Sequence, residues 1–139
     1  MFLLDTNVVS ELRKVKSGRA DSQVAQWASE VSAAQLYLSV ITIQELELGV
    51  LLKERRSPQQ GAVLREWLEE QVLPAFTGRI LSVTVEIARC CAGLSVPDPK
   101  PERDGLIAAT GRVHGLTVVT RNTGDFDRTG VSLLNPWKV

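Results

Sequence analysis

The feature that most limits what this chain can fold into is the order of its hydrophobic patterns. Short apolar runs at "FLL", "LYLSV", "RILSV", "LTVVT" and "VSLLNP" are each separated by longer stretches with helical spacing or by turn-rich loops. Runs of this length, bounded by turn formers, read as buried strands, and spacing of three and four residues reads as amphipathic helix. Strands alternating with helices cannot pair as hairpins. They build a mostly parallel sheet covered by helices on both faces, an α/β three-layer sandwich of Rossmann-like type. The 139 residues fit one domain, expected over 1–139, and a hydrophobic fraction of 44% gives it a core without disulfide or metal staples.

Within that frame the helices have readable ends. Thr6 to about Val15 forms a first helix, capped by Asp5 or Thr6. "DSQVAQWASEV" places Val24, Trp27, Ala28 and Val31 on one face behind Asp21 or Ser22. Thr42 opens the next helix, and Thr42 to Glu45 has capping-box spacing. Pro58 starts a helix that runs to about Val72, with Pro74 ending it. "TVEIARCCAGLS" is helical, "VPDPKPERD" is an extended loop, and "RDGLIAATGRVHG" is a helix stopped by Gly115.

Several functional classes are set aside by composition. Lysine plus arginine equals aspartate plus glutamate at 16 each, so no global field draws nucleic acid. No secretory signal is visible, and no run approaches the ~18 apolar residues of a membrane span. The adjacent Cys90 and Cys91 are expected to be reduced, buried and apolar in role, which favours a cytoplasmic setting. No G-x-G-x-x-G follows a strand, and the single histidine, His114, sits at a helix C-terminus, which suits a dipole partner better than a base.

The carboxylates are more informative. In a parallel sheet the strand ends and the helix starts that follow share one edge, where ligands bind. Asp5 ends the first strand, Glu45 lies in the first turn after the second, and Asp125 lies just beyond "LTVVT". Asp104 opens the helix before that strand and reaches the same edge if the proline-rich loop delivers it. Each acid alone is explained by a cap, a capping box, a helix dipole or a turn. Their convergence is not, because crowded carboxylates repel unless a cation neutralises them. Oxygen donors of this kind suit Mg²⁺ or Mn²⁺, and such ions serve displacement at phosphorus. The acids therefore point to a metal-dependent phosphodiesterase or phosphatase.

Four stretches, "LLDTNVVSEL", "SVITIQELELGV", "RDGLIAATGRVHGLTVVTRNTGDF" and "GVSLLNPW", occur in an order that resembles the PIN-domain ribonucleases, in particular the toxin half of bacterial VapBC-type toxin–antitoxin pairs. The resemblance implies a catalytic acid set at Asp5, Glu45, Asp104 and Asp125, with Asp5 and Asp104 on the metal. It implies polar support from Thr6, Asn7, Thr120 and Asn122. Glu47 and Asp127 read as neighbours of the set. It also implies a homodimer, an RNA substrate, a cognate antitoxin that covers the site, and operator DNA reached through that antitoxin. Arg103 and Arg121 are the better RNA-contact candidates, beside Arg112 and the run Arg13, Lys14, Lys16 and Arg19.

The three tryptophans are expected in the core. The apolar helices around Trp27 and over 43–52 could form a groove for a partner's amphipathic helix. A non-catalytic module that binds RNA or protein on the same fold is the alternative. A phosphoaspartyl hydrolase fits less well, because Asn7 stands where its second acid would be.

Overall fold

The structure, a computed structural model, describes residues 1–138. Five short strands form one sheet: β1 (Phe2–Leu4), β2 (Leu36–Ser39), β3 (Ile80–Leu81), β4 (Thr117–Val119) and β5 (Leu133–Leu134). Their order is β3-β2-β1-β4-β5, and every pair is parallel. The helices are α1 (Thr6–Leu12), α2 (Ser22–Glu30), α3 (Val40–Arg56), α4 (Pro58–Trp67), α5 (Leu73–Ala75), α6 (Val85–Leu94) and α7 (Glu102–His114).

Strand alternation divides the core into two layers. Leu4, Leu38 and Val119 point to one face, where they pack with Val8, Val9, Trp27, Leu46, Val50, Leu68 and Val72 from α1–α3 and the chain after α4. Leu3 and Val118 point to the other, against Ile107 and Ala108 of α7, Leu116 and Phe126. Leu3 and Leu4 are both fully buried. Withdrawing each from water contributes roughly 1.5–3 kcal/mol, so a three-residue strand anchors both layers.

Tight helix contacts fix the rest. A methyl at Gly61 would lie 2.4 Å from the Glu54 Cα, so α4 crosses α3 backbone to backbone. A methyl at Gly105 would meet the Cys91 Sγ at 3.0 Å, which sets how closely α7 approaches α6. Both cysteines are free and half-buried rather than enclosed, because α6 lies on the outside of the sandwich with its other flank open.

Three boundaries differ from those expected. α1 ends at Leu12, three residues early, where the chain turns into the loop that carries Glu11 to Asp21: the Asp21 N–H donates to Glu11 Oε2 at 2.8 Å. α3 begins at Val40, because the Ser39 hydroxyl at the strand end accepts the Ile41 N–H at 3.0 Å and caps the helix before Thr42 is reached. Thr42 is instead fully buried inside α3. Pro74 does not end the fourth helix. A π turn over Leu68–Val72 leads on to α5, and the Leu73 N–H bonds to the Leu68 carbonyl. The wider turn makes room for a proline ring that would collide with the backbone of an unbroken α-helix.

Among the described residues, no helix is long and apolar enough to cross a membrane. Trp27 is buried edge-on against Phe2, with ring centroids 5.4 Å apart. It therefore belongs to the core and cannot line a partner groove. Trp67 and Trp137 are half-buried at the margin of the same core layer. The outward apolar residues of the expected groove are Leu48, Leu51 and Leu52 of α3.

Candidate active site

Asp5 leaves β1 with its N–H on the Val119 carbonyl at 2.9 Å, so it is pinned to the next strand. Its carboxylate is held on both sides. Oδ1 accepts the Thr6 N–H at 2.8 Å, which makes Asp5 the N-cap of α1, and Oδ2 accepts the Thr120 hydroxyl at 2.8 Å. Thr120 follows β4 directly and is fully buried. It also accepts from Asn7 Nδ2 at 3.4 Å and from the Asn122 N–H at 3.1 Å. The Asn7 Oδ1 in turn accepts the Arg121 N–H at 3.2 Å. The four polar residues expected to support the site thus form a single net, with Thr120 at its centre, that joins the ends of β1 and β4.

Glu45 arrives from the second turn of α3, not the first, since the helix starts earlier than expected. It makes no capping box. Its Oε1 accepts the Thr6 hydroxyl at 3.0 Å, and its Oε2 pairs with Arg103 at 2.7 Å. Asp104 is the third residue of α7, and Asp125 stands in a 3₁₀ turn over Thr123–Phe126. Among the described residues neither carboxylate has a hydrogen-bond partner. All four acids line one cleft of about 860 Å³, together with Thr6, Asn7, Arg103 and Asn122. The proline-rich loop does bring Asp104 to the shared edge.

Glu102, one turn-position before Asp104 on α7, lines the same cleft as a fifth acid. Its place two residues ahead of Asp104 was the available signal. Two other arginines expected near the site stand outside this cleft. Arg121 does not line the cleft; its guanidinium lies 5.2 Å over the Trp137 ring. Arg112 is turned away as well, donating to the Thr129 carbonyl at 3.2 Å.

The family of this chain follows from comparison of its whole length. The family model described as the PIN domain matches residues 2–131. The chain belongs to the PIN domain family. It is similar to the VapC ribonuclease Y4jK of Sinorhizobium fredii, at 37% identity over 99% of both chains. It is likewise similar to the toxin FitB of Neisseria gonorrhoeae, at 39% identity over 99% of both chains. In three dimensions it matches a chain of the structure of FitAB bound to an IR36 DNA fragment, with a TM-score of 0.85 and 36% identity, covering 100% of this chain and 97% of that one.

Electrostatics separate the members of the PIN-domain cleft. Burial pushes the Asp5 carboxyl above the usual carboxylate range; the bonds from Thr120 and Thr6 oppose the rise, and the charges of Glu45 and Asp125 add to it. Asp104 is pushed up in the same way, first by burial, then by Asp125, Asp5 and Glu45, with Arg103 opposing. Burial raises these carboxyl groups first, and the neighbouring acids add to the rise. The donors of the cleft are hard oxygens, the set that Mg²⁺ and Mn²⁺ prefer. Among the described residues no group of three acidic, histidine or cysteine side chains is arranged to hold a metal ion, so direct ligation is limited to one or two carboxylates. That suits Mg²⁺, which keeps several waters and takes one or two carboxylates directly. The cleft therefore fits a hydrated divalent ion.

Proposed function

We propose that this protein is a Mg²⁺- or Mn²⁺-dependent endoribonuclease, the toxin of a VapBC-type toxin–antitoxin pair acting in the cytoplasm. The observation that carries the reading is the convergence of Asp5, Glu45, Asp104 and Asp125 in one cleft with a single arginine among them. These carboxylates, with Glu102 beside them, outnumber the one arginine and would repel an RNA phosphate, so a bare cleft of this kind makes a poor binding module. With a divalent ion the same charges become the means of binding phosphate.

Asp5 and Asp104 would hold the ion, with Glu45 and Asp125 around it. When bound, the ion lowers the cost of removing a proton from water and offsets charge on the phosphodiester. The remaining work belongs to the chain. The Thr6 N–H and the Thr120 hydroxyl fix both oxygens of Asp5, so its carboxylate faces the cleft without rotamer search. Asn7 reaches Asp5 through Thr120 and also anchors the Arg121 backbone, holding the β4 loop over the edge. Asp125 is exposed and has no partner among the described residues, so its carboxylate is the one available to take a proton from the attacking water. Asn122, at the cleft wall, orients that water or a phosphate oxygen. Arg103 is placed to meet RNA.

The relatives' names, a ribonuclease, a toxin and a FitAB complex bound to DNA, support an RNA substrate and a cognate antitoxin that reaches operator DNA; a second copy of this chain completes the assembly proposed. The test is cleavage of total cellular RNA by the purified full chain, free of antitoxin, with Mg²⁺, with Mn²⁺ and with EDTA. Fragments that require metal and disappear with Asp5→Asn are expected. Equal cleavage in EDTA, or by Asp5→Asn, would sink the proposal. Metal-independent RNA binding without cleavage would favour the non-catalytic module instead.

A further inference from the structure

Glu45 differs from Asp5, Asp104 and Asp125 in having one of its carboxylate oxygens paired with a cation of this chain. Oε1 accepts the Thr6 hydroxyl at 3.0 Å and Oε2 pairs with Arg103 NH1 at 2.7 Å. Asp5 is also held on both oxygens, but by neutral donors that leave its charge intact. Asp104 and Asp125 are held by nothing among the described residues. One carboxylate of the four is therefore already neutralised, and by a cation that belongs to the chain.

The two members of that pair are not equally placed. The Arg103 side chain is 61% exposed, whereas that of Glu45 is 20% exposed. Glu45 rises from the second turn of a 17-residue helix and is further fixed by Thr6. Arg103 sits in the first turn of α7, with one observed polar contact and open solvent around the rest of its guanidinium. Of the two, Arg103 is the one able to leave. A guanidinium with five N–H donors loses little on exchanging one carboxylate for water or for a phosphate oxygen.

We propose that Arg103 is a resident counter-cation that competes with the divalent ion for Glu45, so that Glu45 joins the metal site only when Arg103 swings away. This rests on the metal-dependent reading of the cleft and adds a positioning residue to it. Arg103 acts through Glu45: it sets how much ion is needed to complete the site. With Oε2 of Glu45 held by Arg103, one carboxylate oxygen of the cleft is already occupied by a cation of the chain itself. The released guanidinium is left at the cleft wall, where an anionic substrate would meet it.

The proposal is tested by a double-mutant cycle read in metal affinity, with no RNA present. Binding of Mn²⁺ to the full chain is measured by calorimetric titration for the wild type, Arg103→Ala, Glu45→Gln and the double variant. Circular dichroism checks each fold, and Arg103→Gln serves as a second variant that keeps the side chain's length. Arg103→Ala is expected to bind Mn²⁺ about threefold to fivefold more tightly than wild type, the range set by an exposed ion pair. In the Glu45→Gln background the same substitution should change affinity by less than about 1.5-fold, because the competitor has lost its target. Equal tightening in both backgrounds would overturn the proposal, since Arg103 would then act as a general positive charge on the cleft. Unchanged or weaker binding in Arg103→Ala would overturn it as well. Binding to Arg103→Ala but not to wild type would support it in its strongest form. No binding to any of the four proteins would instead remove the metal-dependent reading on which it stands, and the competition with it.

Discussion

Two places in this molecule gather carboxylates around one arginine. On the outer hairpin of α3 and α4, Arg65 reaches Glu47 at 2.6 Å, Glu54 at 3.2 Å and Glu69 at 3.4 Å. At the sheet edge, Asp5, Glu45, Asp104 and Asp125 share a cleft with Arg103, which pairs with Glu45 alone. On the hairpin every acid has the cation within reach, and hydrogen bonding to Arg65 pulls the Glu47 carboxyl below its ordinary range. At the edge the Asp5 and Asp104 carboxyl groups are pushed the other way, first by burial and then by the neighbouring acids. A cluster of acids is thus not by itself a site. What marks a site is the charge left over after the chain's own cations are spent, together with burial that keeps water from dissipating it.

The comparison is broken most severely by removing one acid from each place. Asp104→Asn should lower RNA cleavage by at least about 10²-fold, the cost of misplacing a reacting group alone. Glu47→Gln, on the hairpin, should leave cleavage within about twofold of wild type, since surface changes away from a site are near neutral. Initial rates on the same RNA preparation decide it; equal losses would mean that the two clusters are not distinct in kind.

Gly61→Ala should act in the opposite sense, on stability and not on chemistry. Its methyl would press on the Glu54 backbone where α3 and α4 cross, and overpacking of that kind costs about 1–3 kcal/mol. Denaturant unfolding gives the cost, and cleavage per folded molecule should be retained.

The pH dependence of metal-free stability sharpens the contrast further. Asp104 holds its proton more tightly in the folded chain than in the unfolded one. Its contribution is therefore fully present below the unfolded pKa and is lost as pH rises through the folded one. Glu11, whose carboxyl is lowered chiefly by the Asp21 N–H, contributes in the opposite direction and loses its part as pH falls. Melting temperatures of wild type and Asp104→Asn, taken in EDTA from the ordinary aspartate range up to neutral pH, should diverge, with wild type falling relative to the variant. Parallel curves would remove the argument for Asp104. The smallest effect belongs to Arg65→Met, which should leave the denaturant midpoint nearly unchanged, because exposed ion pairs contribute little even when there are three.

Much of this was legible in the chain. The strand-helix alternation gives the sheet, and the strand-end rule brings Asp5, Glu45 and Asp125 to one edge, whereas Asp104 depends on the proline-rich loop to deliver it there. What escaped was decided by contacts between residues far apart. Thr42 and Glu45 have the spacing of a capping box, yet Ser39 claims the cap first and turns Glu45 toward Thr6 and Arg103. The bond from Thr6 to Glu45 spans 39 positions and the one from Thr120 to Asp5 spans 115. No local pattern encodes them. Arg103 and Arg121 look alike in sequence, each beside a site residue. One enters the cleft and the other lies over Trp137, a difference set by where the last turn of chain happens to pack. Pro74 misled for a local reason: a π turn absorbs a ring that an ordinary helix would reject.

Asp5 carries a burden the other acids do not. It closes the first helix, ties β1 to the end of β4 and faces the cleft at once. Replacing a helix cap costs about 1 kcal/mol apart from any chemistry, so a lesion at Asp5 lowers the amount of folded chain along with its activity. Asp104 and Asp125 hold nothing else in place. In a population under pressure to silence this chain, inactivating changes at those two positions would leave a full-length, well-folded and inert protein. Changes at Asp5 would deplete it. The route by which such a lineage loses activity is thereby tilted toward the two acids that the fold can spare.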